Sequence, residues 1–149
     1  QLQAGQCPTT LKMEISFAEP VHAVEMVCFE GGSPAALRAY SLTDIIAEKL
    51  RALLQQNARN RYRRQDIYDI DYLIGAFPPD EAERRAILDA LLKKARARHI
   101  NPDRESLANP EVKRRAKAEW DTLALEIGEL PPFDDAYARV EVFYRGLPW

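Results

Sequence analysis

Three proline-bearing breaks do most to limit what this chain can fold into: FPPD at 77–80, NPDRESLANP at 101–110 and LPPFDD at 130–135. Proline lacks a backbone donor and disfavours helix in the residue before it, so no helix runs undisturbed through these stretches. Around them, apolar residues recur at helical spacing. The chain must therefore form short amphipathic helices that pack on one another. Ser41 with Asp44 three residues later marks a helix start near Leu42. A second helix is expected from Gln65 to about Phe77, and a third from Glu81 to about Arg98 behind the cap Asp80, burying Ile87, Leu88, Leu91 and Leu92. Asn109 caps a fourth, with Pro110 at its first position, running to Gly128 with Val112, Ala116, Trp120, Leu123 and Ile127 inward. A last helix carries Tyr137, Val140, Phe143 and Tyr144.

The first forty residues follow a different period. In Thr10–Phe17 the apolar Leu11, Met13, Ile15 and Phe17 alternate with Lys12, Glu14 and Ser16, which is a strand with one buried face. Ala23–Phe29 is a second strand candidate, GGSP at 31–34 a turn, and Ala36–Tyr40 a short strand. The expected class is α+β: a small sheet over 1–40, then about five helices over 41–149. The chain opens on QLQAGQCPTT without an initiator methionine and soon enters a strand. This reads as the middle of a domain whose first part lies elsewhere.

At 149 residues, 46% hydrophobic and 30% charged, the composition is that of an ordinary globular domain or part of one. Cys7, Cys28, His22 and His99 stand apart from one another, which argues against a zinc site, and two cysteines do not make a disulfide scaffold. There is no long apolar run or signal peptide, so the default location is the cytoplasm, away from membranes. The net charge of −2 hides an asymmetry. Residues 43–64 hold Lys49, Arg51, Arg59, Arg61, Arg63 and Arg64 against only Asp44 and Glu48.

Two charges fall where apolar side chains belong. On the first helix Ile45, Ile46, Leu50 and Leu53 form the buried arc, and Lys49 projects from its middle at about 40° from Ile45. Glu48 and Arg51 are expected on the solvent side. On the second helix Asp66 lies inside the arc of Ile67, Ile70, Leu73, Ile74 and Phe77, with Asp69 and Asp71 at its edges. A lone buried charge costs several kcal/mol, roughly, so such groups are paired or face a polar site. A structural Lys49–Asp66 ion pair is one reading. A site where the lysine meets an anion and the acid meets a cation or proton is the other.

Gly32-Ser33 followed by Asp44 superficially matches a nucleotidyltransferase motif, but position 46 is isoleucine, and one acid cannot bridge two cations. Asp44 is better placed as part of a helix start. The connector NARNRYRR (57–64) mixes arginines with Tyr62, types that neutralise phosphate and stack on unpaired bases. VKRRAKAEW (112–120) reads as a solvated helix face, and Tyr68 and Tyr72 as packing or interaction residues.

LKMEIS, YSLTDIIAEKLRALLQQ and RRQDIYDIDYLI together resemble the AbiEii/AbiGii nucleotidyltransferase-like toxins of abortive-infection and toxin–antitoxin systems. The tail LPPFDDAYARVEVFYRGL is similar to family C-termini. The resemblance implies that the sheet is part of a nucleotidyltransferase-like domain. It implies that Lys49 contacts nucleotide phosphates, that Asp66 is the catalytic acid and Asp69 the second acid of that segment, and that Glu14 is a metal-binding carboxylate. Arg59, Arg61, Arg63 and Arg64 would hold nucleotide or RNA phosphate. The implied activity is Mg²⁺-dependent transfer of a nucleotide from an NTP to RNA, by analogy a tRNA 3′ end, with a transcriptional regulator as antitoxin. The family's first motif, Gly-Ser followed by an Asp-x-Asp pair, is missing from these residues. The chain is thus expected to be a C-terminal portion, inactive alone. The alternative is a non-enzymatic helical module that grips RNA or a protein through the basic connector.

Overall fold

The computed structural model describes Val21, residues 23–28 and residues 36–149. The expected strand at 10–17, Glu14 within it and the turn at 31–34 lie outside the described residues. Strands β1 (Val24–Cys28) and β2 (Ala36–Tyr40) pair antiparallel, with Val24 opposite Tyr40 and Cys28 opposite Ala36. Six helices follow: α1 (Leu42–Gln55), α2 (Arg64–Ala76), α3 (Glu81–Arg96), α4 (Pro110–Lys117), the single turn α5 (Ala124–Ile127) and α6 (Phe133–Arg145). The class is α+β, as expected, and mostly helical.

Local chemistry sets the helix starts. Ser41 Oγ accepts from the Asp44 amide at 3.2 Å, while the Ser41 amide donates back to the Ala23 carbonyl, tying sheet to helix. Asp80 and Glu83 close a capping box, each bond 2.8 Å. Asn109 Oδ1 accepts from the Glu111 amide at 2.9 Å, with Pro110 leading α4. Each such cap stabilises its helix by about 1 kcal/mol.

The core is one cluster in which α1 lies against both α2 and α3, and α2 in turn against α6. Ile46, Leu50, Leu53, Ile67, Ile70, Ile87, Leu91, Tyr137 and Tyr144 are at most 1% exposed. Two buried tyrosines of α6 also tether the loop ahead of α4: Tyr137 Oη donates to the Leu107 carbonyl at 2.6 Å and Tyr144 Oη to the Asp103 carbonyl at 2.7 Å.

Three expectations are corrected. The helix from Pro110 to Gly128 is broken after Lys117: Glu119 adopts the left-handed conformation (φ 60°), and a 3₁₀ turn over Trp120–Leu123 precedes α5. The inward face still holds, since Val112, Ala116, Trp120 and Leu123 are buried. The break lets the Trp120 indole donate to the Pro131 carbonyl and meet the Phe133 ring edge-on. Phe77 leaves the apolar arc of α2 and is 57% exposed. Pro78 disfavours helix at the residue before it, so Phe77 leaves the helical conformation (φ −134°, ψ 75°). Finally, the side of α1 bearing Glu48 and Arg51 does not face solvent. α3 covers it, and Arg51 is buried.

Candidate active site

Lys49 points from α1 across to the first turns of α2. Its Nζ donates to Asp69 Oδ2 at 2.6 Å and to Asp66 Oδ1 at 3.3 Å. The lysine and the two aspartates, which the sequence put on or beside apolar arcs, thus meet. Asp66 and Asp69 are one turn apart on one helix face, which is why a single ammonium reaches both. The cluster is neither sealed nor open: the side chains of Lys49, Asp66 and Asp69 are 24%, 12% and 27% exposed.

The charges do not balance. One ammonium serves two carboxylates, and Asp69 takes the shorter bond. Among the described residues Asp66 Oδ2 is buried without a hydrogen-bond partner, and Arg63 Nη1 stands 3.8 Å away. Burial accordingly pushes the Asp66 carboxyl above its ordinary value of 3.8, and the pull of Lys49 and Arg63 does not offset it. Burial also works against the Lys49 ammonium, but the Asp69 hydrogen bond and the charges of both aspartates outweigh it and hold Lys49 above 10.5. The two shifts have different causes: burial raises Asp66, and the aspartate partners raise Lys49 against it.

The four connector arginines separate. Arg63 reaches Asp66; Arg64 turns to Glu119 at 3.4 Å, away from the lysine. Arg59 and Arg61 are exposed, and neither forms an ion pair among the described residues. Asp71 belongs to neither group. It receives two 2.7 Å bonds from Arg139 Nε and Nη2, fastening α2 to α6.

One buried network escaped sequence reasoning. Lys94 of α3 is 2% exposed and pairs with Asp44 Oδ2 at 3.1 Å, with Glu48 Oε2 3.8 Å from the same ammonium. Arg51 binds Glu48 and Gln55 alongside. Asp44 therefore starts the helix through its backbone and anchors α3 through its carboxylate. The signal was present: Lys94 falls seven residues after Ile87, on the apolar face of α3, and the test that isolates Lys49 isolates it too.

Among the described residues no three His, Cys, Asp or Glu side chains converge as a ligand set for a metal. Mg²⁺, however, is commonly held by one or two carboxylates together with substrate phosphates. Asp66 and Asp69 supply two carboxylates here, both engaged by the Lys49 ammonium. No helix among the described residues is long and apolar enough to cross a membrane.

A two-strand sheet leading into a helical core, with one lysine and two aspartates clustered between its first two helices, places the chain in the α+β class. A family model described as "Nucleotidyl transferase AbiEii toxin, Type IV TA system" matches residues 2–139, a span that includes the whole cluster, the connector and Arg139. The chain belongs to this family of nucleotidyltransferase toxins, and membership in a type IV toxin–antitoxin family implies an antitoxin partner. No curated protein and no solved structure matches the chain.

Proposed function

We propose that Lys49, Asp66 and Asp69 form part of the active site of a nucleotidyltransferase that moves a nucleotide from an NTP to an RNA acceptor, a tRNA 3′ end by family analogy. The observation that carries the reading is the buried, partnerless oxygen of Asp66 beside an ammonium of limited capacity. A carboxylate whose proton affinity is raised by burial is suited to general-base work. In the reaction the acceptor hydroxyl attacks the α-phosphorus, its proton passes to Asp66, and the bond to pyrophosphate breaks. Lys49 has three N–H donors; two go to Asp69 and Asp66, and the third is free to stabilise charge developing on the triphosphate. Asp69 orients the ammonium. Arg63 adds positive charge beside the base.

Glu14, outside the described residues, would help hold Mg²⁺, which when bound neutralises phosphate charge. Arg59 and Arg61 would meet the phosphates of the acceptor; the contact of Arg64 with Glu119 gives it a lesser part. The cognate antitoxin is proposed to be a transcriptional regulator and the setting the cytoplasm.

Within residues 1–149 no Gly-Ser is followed by the family's Asp-x-Asp pair, and we propose that this stretch alone does not turn over. The test is therefore nucleotide binding, by calorimetric titration of NTP with and without Mg²⁺. Lys49→Ala should weaken binding at least about tenfold, one 1.4 kcal/mol step, and Arg61→Ala should not. The opposite pattern, with Arg61→Ala damaging and Lys49→Ala silent, would reject the transferase site in favour of a binding module built on the connector.

A further inference from the structure

The connector and the basic run of α4 are far apart in sequence and adjacent in the fold. Gln56, which ends α1, donates from its buried Nε2 to the Val112 carbonyl at 2.7 Å. At the other end of the connector Arg115 donates to Asn60 Oδ1 at 3.1 Å and lies over the Tyr62 ring, 5.9 Å from its centroid. Asn60 takes the left-handed conformation (φ 48°) that turns the loop there. The loop is therefore held against α4, with Arg59 and Arg61 outward and Tyr62 half exposed at 51%.

The helix beside it carries more cations, each already engaged by an acid. Glu111 accepts from Arg114 at 2.7 Å through both oxygens and from Arg115 at 2.6 Å. Asp134 accepts from Lys113 at 2.8 Å and Lys117 at 2.9 Å. The hydrogen bonds from Arg114 and then Arg115 hold the Glu111 carboxyl at about 2, so it is fully anionic at neutral pH. The exposed pairs among these are worth little to stability. Phosphate competes well for arginine, whose planar fork matches its oxygens. Of the large apolar side chains exposed among the described residues, only Tyr62 lies on the connector or α4. A protein interface needs an apolar centre; a nucleic-acid surface needs cations and a stacking ring.

We propose that the connector and α4 form one surface that holds the phosphate backbone of the acceptor RNA, with Tyr62 stacking on an unpaired base and Glu111 as an internal competitor that phosphate displaces. The proposal rests on the reading of the acceptor as RNA and extends it to a helix that the sequence assigns to solvent. Arg63, in the same loop, contacts Asp66, so RNA lying along this surface passes beside the candidate base.

The experiment is fluorescence anisotropy of the full chain with a labelled RNA hairpin bearing a single-stranded 3′ tail, across a salt series. It contains neither NTP nor divalent cation, so a failed nucleotide-binding test leaves its outcome readable. Glu111→Gln, on the surface, should tighten binding several-fold by releasing two arginines. Arg61→Ala and Arg114→Ala should each weaken it and lower the slope of log affinity against log salt by about 0.7. Tyr62→Ala should weaken binding at least about fivefold, the lower end of one base stack. Circular dichroism checks that each variant is folded. Absence of RNA binding, or tighter binding of polyglutamate than of RNA, would overturn the surface. So would Arg61→Ala acting while Glu111→Gln and Arg114→Ala do nothing, because the connector would then work alone.

Discussion

At the residue scale the protein turns on how one ammonium is divided between two carboxylates. Asp69 receives the 2.6 Å bond, and Asp66 keeps a buried oxygen with no partner among the described residues. A carboxyl whose value is raised by folding binds its proton more tightly in the folded state. Its contribution to stability is thus complete below the ordinary value of 3.8 and is lost as pH rises through the elevated folded value. At neutral pH the ionised Asp66 is a cost. Asp66→Asn should therefore hold or raise the melting temperature at pH 7 while removing the proposed base. In a melting series from acid to neutral pH, the wild type should lose ground to Asp66→Asn. A wild type that gains ground would mean that Asp66 is instead stabilised in its charged form.

At the element scale, α1 carries charge toward two neighbours at once. One side sends Lys49 to α2; the other holds Asp44 and Glu48 against Lys94 of α3. The second side is fully buried at Asp44 and Lys94, where removing one partner strands a charge. Lys94→Ala should cost about 3–5 kcal/mol, read from urea denaturation. Replacing the pair together, Lys94→Met with Asp44→Leu, should recover most of that loss. If the double variant is no better than the single one, Lys94 is held by its other contacts and not by Asp44. The position of Lys94 on its helix was legible from spacing, as for Lys49. Its partner was not, because periodicity gives a direction around one helix and does not say which helix lies there. The same limit explains why Glu48 and Arg51 were placed in solvent. Their side of α1 is polar by pattern and partly covered by α3, with Arg51 buried and Glu48 half-buried.

At the scale of the whole molecule, α6 closes the fold. It receives α2 through Arg139 and Asp71 and fixes the loop ahead of α4 through two buried tyrosines. Tyr137→Phe removes the hydroxyl and leaves the Leu107 carbonyl without that donor. The expected loss is about 1–3 kcal/mol, measured by thermal unfolding. A loss well below that range would show that solvent reaches the carbonyl once the hydroxyl is gone. The loop sets the approach to α4, so the fastening also bears on the surface where α4 meets the connector.

The sequence by itself determined where most helices start, which faces are apolar, and that Lys49 and Asp66 break those faces. These are local matters: caps, prolines and a period of 3.6 residues act within a turn or two. It also carried the family, through words spread over most of the chain. The tertiary structure decided what local pattern cannot encode. It made Asp69 the nearer partner of Lys49, sent Arg64 to Glu119, buried Lys94 on Asp44, broke the fourth helix at Glu119 and laid α4 beside the connector. Each of these outcomes depends on which surfaces meet, and that is settled by packing the whole set of helices around one core.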